Sequence, residues 1–481
     1  MAQVKPGAGD STGVVLDYSM VHSQPGYEFV ADTYLVTDLV YLQGGPVTIH
    51  GGAVIKYASA AALHVDGPVN CLTSAGRMAI FTSKNDDSVG QSIDGTTGNP
   101  AADRFASPAI AIDNGGCDLK YLKIAYAGYG IKYNTSDYQR NYVSHSQIVH
   151  TTTPFYVSSS DLTVRNLLVQ DAVNVFEGST FNVQAEHLTA HGASASLATT
   201  SSQSGNVNLV NSLVVGVPDC CMSYTLDHTD WMPIDDWSVF QTAGSGAHYL
   251  SDYRFRDSGT TTGINGKLLN ELRAKTTYPP IRFSDPVSGT NVFAPQAPRD
   301  DDGFPDRGFH YDCLDWLVSG LDVPAGATLL VTNGVALGID FTASASGIVL
   351  ESGAKLISEG SALQRNAILW FHAVQEGGSA IPAYAATLNA SAGGSETQLR
   401  FTDLPLQGGG YYHLFHTVGG NTVVALDNCN ISGGFLIPST PDLSLACTNS
   451  ILEDNWLDLT SGSLRACLKK RFWPGAVTCT C

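Results

Sequence analysis

The sequence predicts an all-β protein: a right-handed parallel β-helix in two solenoid segments, joined by a connector with a short helix. Short apolar segments return every 20–25 residues, and the bends between them are rich in Gly, Ser, Asn and Thr. One coil of a parallel β-helix needs about that many residues, with small polar residues at its corners. The length of 481 residues, about three usual domains, suits a solenoid or several domains.

The first solenoid segment is predicted from four β-rich stretches in the N-terminal half. Their central apolar residues are 20, 20 and 25 residues apart: Ile148, Leu168, Leu188 and Leu213. Asn166 and Asn211 precede two of these strand centres. Asparagines stacked at a turn can hydrogen-bond to one another and to the backbone of adjacent coils. We therefore expect one coil per step, with the asparagines in a structural role.

The second segment repeats this pattern near the C-terminus. Its anchors are 25, 21 and 20 residues apart: Leu406, Ile431, Leu452 and Phe472. Asn428 and Asn449 again precede the apolar strand centres. The order of short strand, Gly turn and short strand in residues 47–55 also returns in residues 330–337, which indicates that one β-helical unit was duplicated.

Between the two segments the period fails, and Trp, Asp, Pro and Arg become frequent. Within this stretch, residues 267–275 have leucines at helical spacing and are followed by Pro279 and Pro280, so they predict a short helix. The predicted organisation is an N-terminal β-helix segment at 1–215, a connector at 216–312 and a C-terminal β-helix segment at 313–481.

The stacked coils resemble the right-handed parallel β-helix, or pectin-lyase-like, superfamily over most of the chain. Residues 300–312, which read Asp-Asp-Asp-Gly-Phe-Pro-Asp-Arg-Gly-Phe-His-Tyr-Asp, resemble the connector between β-helical units of very large bacterial exported proteins. This resemblance implies an extracellular or cell-surface protein. It implies no reaction, because lyases, glycosidases, adhesins and passive spacers share the coil pattern.

The charge of the chain argues against two classes of partner. The formal net charge is −19, and such a surface repels nucleic acid and anionic membranes. The sequence also lacks a run of about 18 apolar residues, so we expect no membrane insertion. The first residues lack the apolar region of a signal peptide, which leaves a cytoplasmic protein or a segment of a longer exported one. We expect the second, with an extracellular or cell-surface location.

The acidic run in the connector is a candidate calcium site. Calcium takes six to eight oxygen ligands, so aspartates at alternate positions around a glycine can wrap one ion. Asp300, Asp302, Asp306 and Asp312 are the candidate ligands, with Gly303 at the bend. Pro298 occupies the first acidic position of the calcium-loop pattern, and no Glu follows at EF-hand spacing. The alternative is a solvated acidic turn.

A second acidic cluster in the connector is the candidate for catalysis or sugar binding. It contains Asp227, Asp230, Asp235 and Asp236, with Trp231 and Trp237 nearby. A glycosidase on this fold needs carboxylates that face one groove, and a lyase needs an Arg or Lys base. The cluster lies outside the periodic coils, and no lyase motif accompanies it, so a hydrated loop anchored by tryptophan is the alternative.

Histidines His187 and His191 have the i, i+4 spacing of a helical metal site. Their segment is predicted to be a strand, on which they would lie about 13 Å apart. We therefore expect core or surface roles for them.

The function that the sequence predicts is a non-catalytic β-helical module. Its long lateral surface would serve as a rigid spacer or bind glycans or surface proteins. Tyr411 and Tyr412 are weaker candidates for stacking on sugars. A carbohydrate-active enzyme, either a polysaccharide lyase or a glycoside hydrolase, is the competing hypothesis.

Overall fold

The fold is a parallel β-solenoid with one short α-helix among the residues described, as the repeats predict. The computed structural model describes residues 14–16, 26–134, 140–219, 222–382, 384–416, 422–436, 443–457 and 467–468. The chain divides into two compact units. Unit 1 comprises Met1–Thr242, Ala247–Tyr278 and Arg299–Asp312, and unit 2 comprises Ala243–Gly246, Pro279–Pro298 and Cys313–Cys481.

Unit 1 contains one large sheet and a small one, both of parallel strands. The large sheet consists of Val14–Leu16, Thr33–Val36, Leu39–Gln43, Val54–Tyr57, Ala62–Asp66, Ala79–Ser83, Ile110–Ile112, Asp118–Lys120, Leu122–Ala125, Tyr129–Tyr133, Arg140–Thr151, Thr153–Val157, Ser160–Val210, Leu213–Val215, Ser223–Asp227 and Asp230–Met232. The small sheet consists of Tyr27–Phe29, Val47–His50 and Val69–Leu72. A two-stranded antiparallel pair, Lys275–Thr276 with Tyr311–Asp312, belongs to the same unit.

The strand Ser160–Val210 runs through more than one coil without a break. Its corners are turned by single residues in the left-handed region, such as Asn166 at φ 51° and His187 at φ 57°. One such residue turns the chain by a corner and lets ladder hydrogen bonding resume at once, so the successive faces form one continuous strand. Asparagine tolerates this conformation better than most residues.

Unit 2 is a three-faced solenoid of parallel sheets. The first sheet contains Ile281–Arg282, Trp316–Val318, Ala336–Ile339, Asn366–Trp370, Thr402–Pro405, Asn430–Ser432 and Ile451–Glu453. The second contains Thr290–Phe293, Thr328–Val331, Lys355–Glu359, Glu396–Arg400, Thr422–Asp427, Leu443–Thr448 and Cys467–Leu468. The third contains Leu321–Val323, Ser346–Leu350, Ala386–Ala390, Tyr412–His416, Phe435–Leu436 and Trp456–Leu457.

In the described part of the chain, a few elements lie outside the parallel coils. A hairpin joins Phe240–Ala243 to Gly246–Leu250. 3₁₀ turns lie at Trp237–Val239, Tyr253–Phe255 and Phe371–Ala373. The helix α1 spans Gly266–Leu272 and begins at Asn265, whose side chain accepts hydrogen bonds from the next turn. It ends earlier than the sequence predicted, because Lys275–Thr276 pairs as a strand.

Most of the predicted strand anchors are buried, whereas Leu452 is only partly buried. Ile148 and Leu188 lie in the interior core of unit 1. Leu213 instead packs on the outer side of its strand against Val239, Phe240, Leu250 and Phe255, which come from the connector. In unit 2, Leu406 and Ile431 are core residues, and Phe472 lies outside the described residues. Where both faces of a strand carry apolar residues, the sequence does not show which positions face the interior of the coil.

The structure divides the predicted connector 216–312 between the two units. Strands Ser223–Asp227 and Asp230–Met232 continue the parallel pairing of unit 1, so its solenoid extends beyond residue 215. Strands Ile281–Arg282 and Thr290–Phe293 pair in parallel within unit 2 before residue 313. Long insertions between these strands break the spacing, so the coils there cannot be found by period alone.

The predicted asparagines form ladders, but their partners differ. Asn449 donates to the Asn428 side chain on the adjacent coil. Asn166 and Asn211 are separated by a coil that carries His187, so each bonds to a histidine: Asn166 Nδ2 to His145 Nδ1 at 3.1 Å and Asn211 Nδ2 to His187 Nε2 at 3.0 Å. Unit 1 therefore has a mixed His–Asn ladder.

Each of these two amides also pairs with the backbone of a connector segment. Asn166 accepts from His310 N at 2.7 Å and donates to His310 O at 2.9 Å. Asn211 does the same with Thr260 N and O, at 2.7 and 2.8 Å. The connector is thereby fastened to the ladder face of the solenoid.

We expect Asn211→Ala to lower the free energy of unfolding of unit 1 by about 3 kcal/mol. It leaves two buried backbone groups of Thr260 without a partner. It also places alanine at φ 52°, a conformation that asparagine tolerates and alanine adopts at a cost of about 1 kcal/mol. Asn211→Gly removes the amide without that strain, so it should cost about 2 kcal/mol. Urea denaturation measures both, and a loss under about 1 kcal/mol for the alanine variant would refute this role.

Candidate functional site

Two clusters of polar residues in unit 1 are candidates for function. The first is a buried carboxylate–histidine cluster formed by Asp300, Asp306 and His310. Their potential ligand atoms all lie within 4.8 Å of one another. The second is an exposed surface around Trp237, which we call the Trp237 patch and which comprises Asp235, Asp236, Trp237, Tyr253 and Arg254. The connector supplies both.

The carboxylates of the buried cluster are held by the backbone. His310 Nε2 lies 2.7 Å from Asp300 Oδ2, and the same oxygen accepts from Asp306 N at 3.0 Å. Asp306 accepts from Asp257 N at 2.7 Å and from the Thr277 hydroxyl. The segment is pressed closely onto the solenoid, because a Cβ on Gly308 would lie 2.5 Å from Thr189 Oγ1. Glycine is therefore required there, also because φ is 84°.

The electrostatics of the two carboxyl groups differ. Burial acts to raise the pKa of Asp300, but the hydrogen bond and charge of His310 outweigh it and leave that pKa below its usual range. Burial dominates at Asp306 and raises its pKa. His187, whose ring centroid lies 5.2 Å from that of His310, is fully buried, and burial lowers its pKa to about 3. Two acidic groups thus share a largely buried site.

The structure brings together two of the four predicted calcium ligands. Asp300 and Asp306 are in the cluster, whereas Asp302 is exposed and is not part of it. Asp312 forms a buried ion pair with Lys275 and accepts from Gly76 N at 3.0 Å. The third member of the cluster is an imidazole, which is not an oxygen donor. Because calcium selects six to eight oxygens, this donor set fits calcium poorly.

Sequence reasoning did not identify His310 as a member of the cluster. The aspartate pattern of calcium loops has no place for a histidine, although His310 lies four positions after Asp306. The available signal was the alternative motif of two carboxylates and one histidine within eleven residues. That spacing alone does not show that the side chains converge.

The Trp237 patch is supported from below by two buried histidines. His191 Nε2 lies 2.8 Å from Asp235 Oδ1, and His191 Nδ1 lies 2.9 Å from His248 Nε2. The ring of Trp237 packs edge-on against His191 with centroids 4.2 Å apart. Both histidines are buried, while Trp237 is 48% exposed and the Asp235 side chain is 54% exposed. The arrangement fixes an indole and a carboxylate side by side at the surface.

A neighbouring turn extends this surface. Ser251 N donates to Val239 O at 3.0 Å, which places the 3₁₀ turn Tyr253–Phe255 beside Trp237–Val239. Tyr253 is 81% exposed. Hydrogen bonds from Ser238 lower the pKa of Asp236, and the charge of Arg254 adds to this effect. The patch therefore presents two aromatic rings, two carboxylates and one guanidinium to solvent.

The remaining predicted site residues have other environments. Asp227 pairs with the adjacent, exposed His228 at 2.7 Å. Asp230 forms an ion pair with Arg307. Trp231 donates to Val217 O at 2.9 Å and packs against the interior core, so it anchors its strand.

The two tyrosines predicted to stack on sugars lie in unit 2. Tyr411 is 7% exposed and packs on Trp370 with centroids 5.0 Å apart, so its ring is not available for a sugar. Tyr412 is half-buried beside Phe415 and Phe435.

Comparisons with known proteins give no family. No protein-family model and no curated protein matches the chain. Among solved structures, the catalytic domain of a GH87 α-1,3-glucanase in complex with nigerose is 8% identical, with 97% of this chain and 69% of that chain covered and a TM-score of 0.20. A PL6-family alginate lyase is 9% identical, with 89% and 81% covered and a TM-score of 0.16. At these values neither likeness assigns an activity.

The fold assignment rests on the strand pairing described above, which shows the coils of a parallel β-helix. Among the residues described, no helix is long and apolar enough to span a membrane.

Proposed function

We propose that the protein is a non-catalytic β-helical module that binds neutral glycans through the Trp237 patch, at the cell surface or outside the cell. The observation that carries this proposal is the exposed indole of Trp237, fixed against buried His191 and adjacent to the Asp235 carboxylate. A rigid aromatic ring offers a flat apolar face to a sugar ring, and it loses little conformational entropy on binding. A carboxylate beside it can accept hydrogen bonds from hydroxyl groups.

The charges of the patch indicate which glycans it takes. Asp235 and Asp236 face solvent, and Arg254 is already engaged by Asp252, with Arg254 Nε 2.6 Å from Asp252 Oδ2. The whole chain carries a net charge of −19. A uronic-acid polymer would meet repulsion at this surface, whereas a neutral polymer would not. The proposal is therefore specific to neutral oligosaccharides.

The test is titration of the protein with cellohexaose, laminarihexaose, chitohexaose and oligogalacturonate, followed by calorimetry and by tryptophan fluorescence. We expect one or more of the neutral oligosaccharides to bind, and Trp237→Ala to weaken that binding at least about 30-fold, as for a buried aromatic anchor in an interface. Tyr384→Ala removes an exposed aromatic from unit 2 and is the matched control, which should bind like wild type. Equal binding by Trp237→Ala would reject the patch.

The enzyme hypothesis is tested in the same samples. Release of reducing ends indicates a glycoside hydrolase, and release of an unsaturated uronate indicates a polysaccharide lyase. If either product forms with wild type and is lost in Asp235→Asn, the protein is an enzyme and the binding-module proposal is rejected.

A further inference from the structure

The hydrogen bonds of His310 determine which of its ring nitrogens carries a proton. Nδ1 lies 3.0 Å from Gly308 O. A carbonyl oxygen can only accept, so Nδ1 must donate and therefore carries hydrogen. In the neutral imidazole, Nε2 then has a lone pair and no hydrogen.

That lone pair faces a carboxylate. Nε2 lies 2.7 Å from Asp300 Oδ2, and two acceptors at this distance repel each other unless a cation lies between or beside them. Asp306 adds a second carboxylate within 4.8 Å. All three side chains are almost fully buried, so solvent does not screen the repulsion. The cluster needs either a proton on His310 or a metal ion.

We propose that Asp300, Asp306 and His310 bind a divalent transition-metal ion of the Zn²⁺ type, and that this ion holds the segment Arg299–Asp312 in the conformation in which it packs on the unit 1 solenoid. Two carboxylates and an imidazole are donors that zinc accepts, and imidazole favours zinc, copper, iron or nickel over calcium. This proposal is independent of glycan binding at the Trp237 patch.

The surroundings of the cluster are those of a metal site. Histidines that bind metals usually donate their other ring N–H to a carbonyl or carboxylate, which orients the ring. Gly308 O accepts that bond here. The backbone of His310 is fixed by its two hydrogen bonds with the Asn166 side chain.

The burial of the cluster indicates a structural ion. A catalytic metal keeps one coordination position open to water or substrate, whereas these three side chains are almost fully buried. A structural zinc site has four ligand atoms, so one of the two carboxylates would bind through both oxygens. The segment that holds the ion rests on solenoid residues that are distant in sequence. His310 contacts Asn166, and Phe309 contacts Thr189. Binding of this kind stabilises the folded state directly.

The test uses full-length protein stripped with EDTA and dialysed, then titrated with ZnCl₂ and separately with CaCl₂ by calorimetry. We expect one Zn²⁺ per chain, a rise in Tm with Zn²⁺, and no heat or Tm change with Ca²⁺. His310→Gln and Asp300→Asn should weaken Zn²⁺ binding by at least about 100-fold. His64→Gln changes a histidine elsewhere in unit 1 and should bind Zn²⁺ like wild type.

If the variants fail to fold, measurements on wild-type protein alone still test the metal-binding proposal. Addition of Co²⁺ should give visible d–d absorption that one equivalent of Zn²⁺ removes. Absence of both Zn²⁺ heat and Co²⁺ absorption in wild type would overturn the proposal and leave a proton between His310 and Asp300. Binding of Ca²⁺ in preference to Zn²⁺, or full Zn²⁺ affinity in a folded His310→Gln, would overturn it as well.

Discussion

Replacing Lys275 by alanine is expected to lower the free energy of unfolding of unit 1 by about 3–5 kcal/mol. The Lys275 side chain is 4% exposed and forms an ion pair with Asp312. Its ammonium also lies over the Tyr121 ring, 4.9 Å from the centroid. Burial alone would lower the pKa of Lys275, but Asp312 and Tyr121 outweigh burial and raise it. The alanine variant leaves the Asp312 carboxylate buried without its counter-ion.

A double variant separates the cost of a lone charge from the value of the pair. Lys275→Met with Asp312→Asn keeps the volume of both side chains, and the asparagine oxygen can still accept from Gly76 N. We expect this variant to be within about 2 kcal/mol of wild type, since replacing both members of a buried pair is often nearly neutral. Urea denaturation measures all three proteins. If Lys275→Ala costs less than about 1 kcal/mol, the pair does not hold this segment.

Acid is expected to destabilise the protein from about pH 6.5 downward, well before its carboxylates protonate. Asn166 pairs with the His310 backbone through both amide atoms, so its orientation is fixed and its Nδ2 donates to His145 Nδ1. His145 Nδ1 is therefore an acceptor, and its Nε2 donates to Glu271 Oε2 at 2.9 Å. A second proton on His145 has no acceptor.

The pKa values give the sign of this effect. Burial, and then the charge of Lys275, lower the pKa of His145 to about 2. In unit 2, burial lowers the pKa of His413 to about 4. The unfolded chain takes up these protons near pH 6.5, so between the two pKa values unfolding binds protons. Stability is fully present above pH 6.5 and falls by about 1.4 kcal/mol per pH unit for each histidine.

The measurement is the free energy of unfolding at pH 7.5, 5.5 and 4.5. For unit 1 we expect a loss of about 3 kcal/mol at pH 4.5 from His145 alone. His145→Gln should be less sensitive to pH by about that amount, while the exposed His228→Gln should retain the wild-type dependence. An unchanged pH dependence in His145→Gln would show that this histidine does not remain neutral in the folded state.

The buried cluster shows how much of a site a sequence can indicate. The acidic run marked residues 300–312 as unusual, and two of its four proposed ligands, Asp300 and Asp306, do converge. His310 joins them because Asn166 fixes its backbone from 144 residues away. Asp312 is not in the cluster, because it forms an ion pair with Lys275, its partner in the antiparallel strand pair. Neither contact has a local signal, so spacing alone could not show which side chains converge.

The Trp237 patch was also only partly predictable from the sequence. The sequence indicated Asp235, Asp236 and two tryptophans as one cluster, but it could not tell which indole faces solvent. Trp231 is committed to the core by its strand pairing with Val214, whereas Trp237 lies in a 3₁₀ turn above His191. His191 itself looked like an ordinary strand residue. Its role depends on the connector folding back over the coil.

The sequence by itself determined the parallel β-solenoid, because a coil repeats its apolar positions and its left-handed corner residues locally. It also located the helix α1 and the two acidic segments. The tertiary structure decided where each solenoid ends, since long insertions interrupt the period without interrupting the strand pairing. It alone brought Asp300, Asp306 and His310 together and left Trp237 exposed, because both results depend on contacts between residues that are distant along the chain.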